Sequence, residues 1–344
     1  MAANASAGAD PAAASNHSGC DVFVDQRAAA VLFPVFYSAV FVVSACGNGL
    51  VLCVICRRRR KLNATSVYLL NLAASDALFT LALPGRIAYY ARRFDWPFGD
   101  LLCRLTTLLF FANTYAGIGF MTCISLDRYL VMVRPRRLQW LRSVKVVRRA
   151  CCLIWALVSL QIAPLLFRGA LRQHRGRRTC MEFLDLDGSR AAPYLLLLAC
   201  ALSFCVPLAV ILGCYARINA ALRAAAAAAR GSVTGRTRRS HRANTIILLV
   251  LLTFVACFSP YHLNVMQFML RRIRRPPPCE QLRAFKVSLQ ITVSLMNFNC
   301  CLDPVIYFFA IKTYKKRVMS LFRDYLYTSG ASSKITADNS SSNT

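Results

Sequence analysis

The sequence predicts an all-α membrane protein, a seven-transmembrane helix bundle with a short amphipathic cytosolic helix after the seventh span. Three observations carry that expectation. Of 344 residues, 57% are hydrophobic and only 17% charged, too apolar a balance for a soluble fold of this length. Seven apolar stretches each approach or exceed the roughly 20 residues that a helix needs to cross about 30 Å of hydrocarbon. The charges are lopsided, 43 Lys+Arg against 14 Asp+Glu for a formal net charge of +29. In a soluble chain that excess would suggest nucleic acid; in an apolar chain it points to membrane-flanking loops, and no nucleic-acid partner is expected.

In chain order, residues 1–28 form a polar, Ala/Ser-rich head with sequons at Asn4-Ala5-Ser6 and Asn16-His17-Ser18. Such sites are used only on the lumenal side, so the head is read as an extracellular, glycosylated amino terminus. It has no apolar core of its own, which leaves the first helix to act as the signal anchor. The membrane-spanning body, 29–310, holds spans at about 29–56, 64–91, 101–133, 148–168, 192–219, 243–270 and 284–310, placed by hydropathy. Open sheets leave backbone groups unsatisfied in lipid, and these runs lack the period-two alternation of a barrel, so the spans are expected to be helices.

With residue 1 outside, the inner loops carry Arg57 to Lys61, then Arg134 to Arg149, then Arg217 to Arg242, with almost no acid. That fits the positive-inside rule and attraction to anionic lipids of the inner leaflet. Arg175, Arg177 and Arg178, and Arg271 to Arg275, make two outer loops basic as well. Ala224 to Ala229 extends the fifth span as helix. Residues 311–326 set Val318, Leu321 and Phe322 among basic side chains, as a helix lying on the membrane does. Residues 327–344 read as a disordered cytosolic tail rich in Ser and Thr.

Four of the sixteen cysteines, Cys20, Cys103, Cys180 and Cys279, fall outside, where disulfides persist, and three pairings of them are open. His17, His174, His241 and His262 are scattered, so no metal centre is expected. No HExxH or GxSxG motif is present, and the chain is not expected to be an enzyme.

Polar groups within spans are expensive in hydrocarbon and require a partner or a role. Asn48, Asp76, Asn113, Asn299 and Asp303 lie near the middle of their helices, where together they would enclose a hydrated cation or form a network that ties helices together. Asp127-Arg128-Tyr129 ends the third span. From Cys103 to Arg128 is about 37 Å of helix, enough to carry Arg128 to the inner mouth beside a basic loop. Pro84, Pro164, Pro207, Pro260 and Pro304 each remove a backbone hydrogen bond and permit a hinge.

These residues carry a resemblance. Gly47-Asn48, Leu72-Ala73-Ala74-Ser75-Asp76, Asp127-Arg128-Tyr129, Trp155, Pro207 with Tyr215, Cys257-Phe258-Ser259-Pro260 and Asp303-Pro304-Val305-Ile306-Tyr307 resemble, one set per span and in order, the markers of class A (rhodopsin-like) G-protein-coupled receptors. Within the class, Ala82 to Ala91, Asn113-Thr114-Tyr115-Ala116-Gly117, Thr179-Cys180-Met181-Glu182 and Met296 to Cys301 resemble the Epstein–Barr-virus-induced oxysterol receptor. That resemblance makes residues 29–310 the receptor domain. It implies a plasma-membrane receptor that binds an oxysterol, couples to heterotrimeric G proteins of the inhibitory class, steers immune-cell migration, and meets arrestin and receptor kinases at its tail. It implies a disulfide from the top of span three to the second outer loop, Cys103–Cys180, and with it Cys20–Cys279 is the favoured pairing of the other two. It implies a ligand pocket of Arg86, Tyr90, Phe111, Tyr115, Glu182 and Tyr261, with Phe111 standing where the family's pocket carries a tyrosine. It assigns activation and coupling to Asp127, Arg128, Tyr129, Tyr215, Phe258, Pro260 and Tyr307, and a sodium ion to the cluster around Asp76. Gly117 supplies no hydroxyl there. An anionic lipid, a nucleotide or a chemokine is the rival ligand. An ion-coupled transporter is the rival function, which would need internal repeats that the sequence does not show.

Overall fold

A computed structural model of the chain describes residues 27–57, 62–134, 138–167, 171–174, 176–180, 191–228, 235–275, 277–321 and 323. Seven helices are long and apolar enough to cross a membrane: α1 (Ala29–Cys56), α2 (Ala64–Ala91), α3 (Gly99–Met132), α4 (Val144–Phe167), α5 (Ala192–Ala225), α6 (Asn244–Arg274) and α7 (Cys279–Ala310). A short helix, α8, covers 312–321. Between α4 and α5, β1 (Leu171–His174) and β2 (Arg177–Cys180) pair antiparallel, with Leu171 opposite Cys180 and His174 opposite Arg177. Gly176 sits in their turn at φ +80°, a left-handed conformation that a side chain disfavours.

Helix ends differ from the hydropathy boundaries by several residues. The fourth span begins at Val144 rather than 148, the sixth reaches Arg274 rather than 270, and the seventh starts at Cys279 rather than 284. Hydropathy sees only the hydrocarbon-facing part, whereas a helix runs on into the polar layer while its caps are satisfied. Ser143 Oγ accepts from the Val146 amide at the start of α4, and Asn63 Oδ1 accepts from the Ser66 amide at 2.9 Å at the start of α2. Arg271, Arg272 and Arg274 occupy the last turn of α6, where cations complement the helix dipole.

The core of the bundle is apolar, as in a soluble protein, but its outer surface is apolar too and its interior also holds polar and charged groups. Asn48, Asp76 and Asp303 are 0% exposed while Leu81 and Leu101 are 74% exposed, the pattern required when lipid surrounds the bundle and polar groups must find each other inside. α3 runs through the middle, touching α2, α4, α5 and α6. Gly47 permits the approach of α1 to α7, since a Cβ there would lie 2.5 Å from Pro304 Cγ. Two prolines follow local irregularities in their helices. Helix α5 widens into a π-helical turn at Ala201–Cys205 and α6 at Phe254–Phe258, close before Pro207 and Pro260, where the missing N–H leaves the regular ladder incomplete.

Candidate functional site

One end of the bundle is closed by the β1–β2 hairpin. Cys180 at the end of β2 is bridged to Cys103 near the start of α3, across 77 residues of chain. The Trp96 amide donates to the Arg178 carbonyl at 2.7 Å, Asp95 Oδ1 accepts from the Arg178 amide at 3.0 Å, and Asp100 Oδ1 accepts from the Leu171 amide at 3.2 Å. These bonds satisfy hairpin groups that regular pairing leaves over and tie the hairpin to the segment between α2 and α3 and to the first turn of α3. Cys279 is also disulfide-bonded; its expected partner Cys20 lies outside the described residues, as do the sequons at Asn4 and Asn16 and the pocket residue Glu182.

Beneath the hairpin is a cavity of about 70 Å³, lined among others by Arg86, Tyr90, Trp96, Phe110, Cys180 and Lys286. The Arg86 guanidinium stands 5.1 Å from the Phe110 ring centre, 5.5 Å from that of Tyr37 and 5.8 Å from that of Tyr90, and donates to Tyr90 Oη at 3.3 Å. Cation–π contact from three rings holds the charge in place where a flexible side chain would otherwise wander. Tyr37 in turn stacks on Tyr90, hydrogen-bonds Ser294 Oγ and accepts from Asn297 Nδ2, so α1, α2 and α7 meet behind the arginine.

The other expected pocket residues do not line this cavity; they continue from it as a chain of rings. Phe110 meets Phe111 edge-on at 5.0 Å, Phe111 stacks on Tyr115 at 6.2 Å, Tyr115 faces His262 at 6.4 Å, and His262 meets Tyr261 at 5.1 Å. His262 stacks on Phe204 of α5 at 4.4 Å, and its Nδ1 donates to the Phe258 carbonyl at 2.8 Å. The path therefore runs from Arg86 to the π-helical turn of α6 that ends at Phe258, two residues before Pro260. Sequence reasoning missed Tyr37, Phe110 and His262 as members, because an aromatic residue in an apolar span gives no sign of which side it faces. Lys286 was detectable, as an ionisable residue inside an expected span, 3% exposed.

In the middle of the bundle the five expected polar residues are all buried and gathered across α1, α2, α3 and α7. Asn113 Nδ2 donates to Asp76 Oδ1 at 2.8 Å, and Tyr307 Oη donates to Asp76 Oδ2 at 3.3 Å. Asn48 Nδ2 donates to the Cys300 carbonyl at 3.0 Å and to Ser44. Asn48 Oδ1 and Asn299 Nδ2 have no hydrogen-bond partner among the described residues, and Asp303 receives no N–H there and faces the Asp76 carboxyl. A Cβ on Gly117 would lie 3.6 Å from both Asn299 Nδ2 and Phe258 Cζ, so the glycine stands between this cluster and the π-helical turn of α6.

At the opposite end, Asp127 is 3% exposed and gathers three donors. Its Oδ2 accepts from Arg128 Nη2 at 2.6 Å and from Thr65 Oγ1 at 2.6 Å, and its Oδ1 from Arg142 Nε at 2.7 Å; Arg128 also contacts the Thr65 hydroxyl. One carboxylate thus ties α3 to α2 and to the segment before α4. Tyr129 and Tyr215 pack with Met132 against Cys214, Ile218 and Ile247 of α5 and α6. Arg128, Tyr215 and Tyr307 stand in separate sets of contacts, Tyr307 being drawn inward to Asp76. Trp155 Nε1 donates to Asn71 Oδ1 at 3.0 Å, pinning α4 to α2.

The bundle thus has a disulfide-capped cavity at one end, an arginine bound to a buried carboxylate at the other and a polar cluster between them. The family model for the 7 transmembrane receptor (rhodopsin family) matches residues 47–307. The chain belongs to the rhodopsin family of receptors. It is 43% identical over 315 residues to "G-protein coupled receptor 183" of Rattus norvegicus, covering 91% of this chain and 88% of that one. Against the Homo sapiens protein of the same name the identity is 42%, covering 91% and 87%. A purinoceptor of Homo sapiens is 36% identical over 283 residues, covering 81% and 73%. As a rhodopsin-family G-protein-coupled receptor, this protein is a multi-pass component of the plasma membrane and not an enzyme; its partners are a small-molecule ligand and a G protein.

Proposed function

We propose that the receptor detects a hydroxylated sterol at the end capped by the hairpin, which faces outside with the amino terminus, and signals to an inhibitory-class G protein at the cytosolic Asp127 end during immune-cell migration. The observation that supports the ligand most directly is Arg86, a fixed donor among Tyr37, Tyr90 and Phe110 at the rim of an apolar cavity. A sterol is a large apolar body with few hydroxyls, and such a site offers it ring surface plus one or two oriented polar groups. The cavity is smaller than the about 300–1,000 Å³ of a drug-sized ligand site, so the ligand enters by displacing side chains. The first displaced rings, Phe110, Phe111 and Tyr115, lead through His262 to the π-helical turn of α6. A ligand favouring the displaced arrangement shifts the bundle toward the form that opens around Arg128, Tyr215 and Tyr307. Kinases and arrestin then act on the tail, residues 327–344.

Arg86→Ala is expected to weaken the response to an oxysterol about tenfold or more, as loss of a hydrogen bond to a charged group does, while surface expression persists. G-protein activation is the readout, against a panel of oxysterols, acidic lipids, nucleotides and chemokines. An unchanged oxysterol response overturns the pocket assignment. A second reading, an acidic lipid, is favoured by Lys286, which brings a further cation to the same cavity; a response to acidic lipids with none to sterols replaces the first reading with this one.

The polar cluster fits a sodium ion. Two buried carboxylates and a free asparagine oxygen are hard oxygen donors, and no described salt bridge reaches Asp76 or Asp303. Asp76, Asp303, Asn48 and Asn113 would hold it, and the bound charge would favour the closed bundle. Replacing sodium chloride by N-methylglucamine chloride is expected to raise agonist potency in the wild type and to have no effect in Asp76→Asn. Indifference of the wild type to sodium rules the site out.

A further inference from the structure

We propose that Cys53 and Cys56, in the last turn of α1, are S-acylated by a long-chain fatty acid. Helix α1 buries a stripe of Tyr37, Val40, Ser44, Asn48, Val51 and Ile55 against the bundle, and Cys53 and Cys56 stand off that stripe as exposed free thiols. Their spacing puts them side by side on one face of the helix. Arg57 follows at once, exposed, and the sequence continues Arg58-Arg59-Arg60-Lys61, so the pair sits where lipid-facing surface gives way to a basic juxtamembrane run. Juxtamembrane cysteines of this kind are where fatty acyl thioesters form.

The rest of the molecule narrows the assignment. Asn63 caps α2 a few residues on, and Thr65 in its first turn donates to Asp127, so the end of α1 lies at the G-protein end of the bundle. This inference rests on the orientation proposed above, which puts that end in the cytosol, where thiols stay reduced and acyl-coenzyme A is present. Two other free cysteines are exposed, Cys46 and Cys152. Cys46 lies about 10 Å further along the helix from Cys53, and Cys152 about 12 Å in from Val144. Both are therefore within the hydrocarbon, out of reach of a charged acyl donor. Residues 311–344 contain no cysteine and so offer no acyl acceptor. A metal reading of the Cys53-Val54-Ile55-Cys56 pair fails for want of further ligands, because no group of three or more His, Cys, Asp or Glu forms a metal cluster among the described residues.

In the reaction the Cys Sγ attacks the thioester carbonyl of a long-chain acyl-coenzyme A. The new Sγ–acyl bond forms as the bond to the coenzyme A sulfur breaks, and the thiol proton leaves on coenzyme A; nothing is oxidised or reduced. Each acyl chain enters the bilayer beside the exposed face of α1, and the adjoining basic run meets anionic lipid headgroups, two signals that reinforce each other.

The test is hydroxylamine-dependent acyl exchange with a mass tag on the full-length receptor expressed in mammalian cells, with an epitope tag at the amino terminus. Two mass shifts are expected for the wild type and for Cys46→Ser, one for Cys53→Ser and for Cys56→Ser, and none for the double variant. Mass spectrometry of the wild-type peptide ending at Arg57 reads the thioester directly, so the result does not depend on how the variants fold. A tag accessible on intact cells with no mass shift, or a double variant that keeps both shifts, overturns the acylation while the orientation stands. A tag hidden on intact cells overturns the orientation.

Discussion

Asp127→Asn is expected to raise ligand-independent G-protein activation about fivefold or more, the lower end of the range for coupling between conformational states. Asp127 is the one carboxylate to which the Arg128 and Arg142 guanidinium groups and the Thr65 hydroxyl converge. Asparagine keeps the shape and one acceptor oxygen but removes the charge and turns the other oxygen into a donor facing cations. Breaking a buried charge pair from one side costs about 3–5 kcal/mol, and the Arg128 contact with Asp127, with a side chain 16% exposed against 2% for its partner, is buried enough for much of that cost to be felt. Arg128 is then free to leave α2 and present itself at the mouth. Nucleotide exchange on a purified G protein, normalised to surface receptor, measures the effect. Basal activity equal to the wild type at equal surface density overturns the role of Asp127 as a lock. Because Arg142 leaves the same carboxylate, Arg142→Ala is expected to move basal activity in the same direction by less.

The second large effect is at the opposite end. Cys103→Ser removes a bridge that closes 77 residues of chain, worth about 4–5 kcal/mol in the chain-entropy account. The hydrogen bond donated by the Trp96 amide and those accepted by Asp95 and Asp100 remain, but each contributes only about 0.5–1.5 kcal/mol and they do not replace the bridge. Surface receptor is expected to fall about tenfold or more, since each 1.4 kcal/mol is about a factor of ten in a folding equilibrium. The ligand response should be lost as well, because Cys180 lines the cavity. Cys180→Ser should match Cys103→Ser, and the double variant should be no worse than either, since both single changes remove the same bond. Surface staining and thermal unfolding in detergent read this; additive losses would show that the two residues act through packing and not through the bridge.

Much of the molecule was legible because the bilayer makes burial of polar groups costly. Asp76, Asn113 and Asp303 were recognisable within apolar runs, and they do gather in one place. Asp127 and Arg128 were legible for the same reason at the end of the third span. The details of the ligand end were less legible. Arg86 was visible as a charge in a span, but Tyr37 and Phe110, which hold it, look in the sequence like lipid-facing aromatics such as the 87%-exposed Phe167. The family resemblance groups Tyr115 and Tyr261 with Arg86, whereas in the structure they lie along a ring-to-ring path that begins at the cavity and ends at the π-helical turn of α6.

How many times the chain crosses the membrane, roughly where, and which polar residues are confined to the interior all follow from the order of residues, because hydrocarbon imposes those constraints one segment at a time. Which side chains meet across helices is a property of the assembled bundle: one carboxylate serves two arginines, Tyr307 turns inward to Asp76, and Cys53 and Cys56 face away from the other helices. Those outcomes depend on the rotation of each helix about its axis, which is set by packing such as Gly47 against Pro304. Residues far apart in the chain fix that rotation jointly, so no local stretch of sequence carries it.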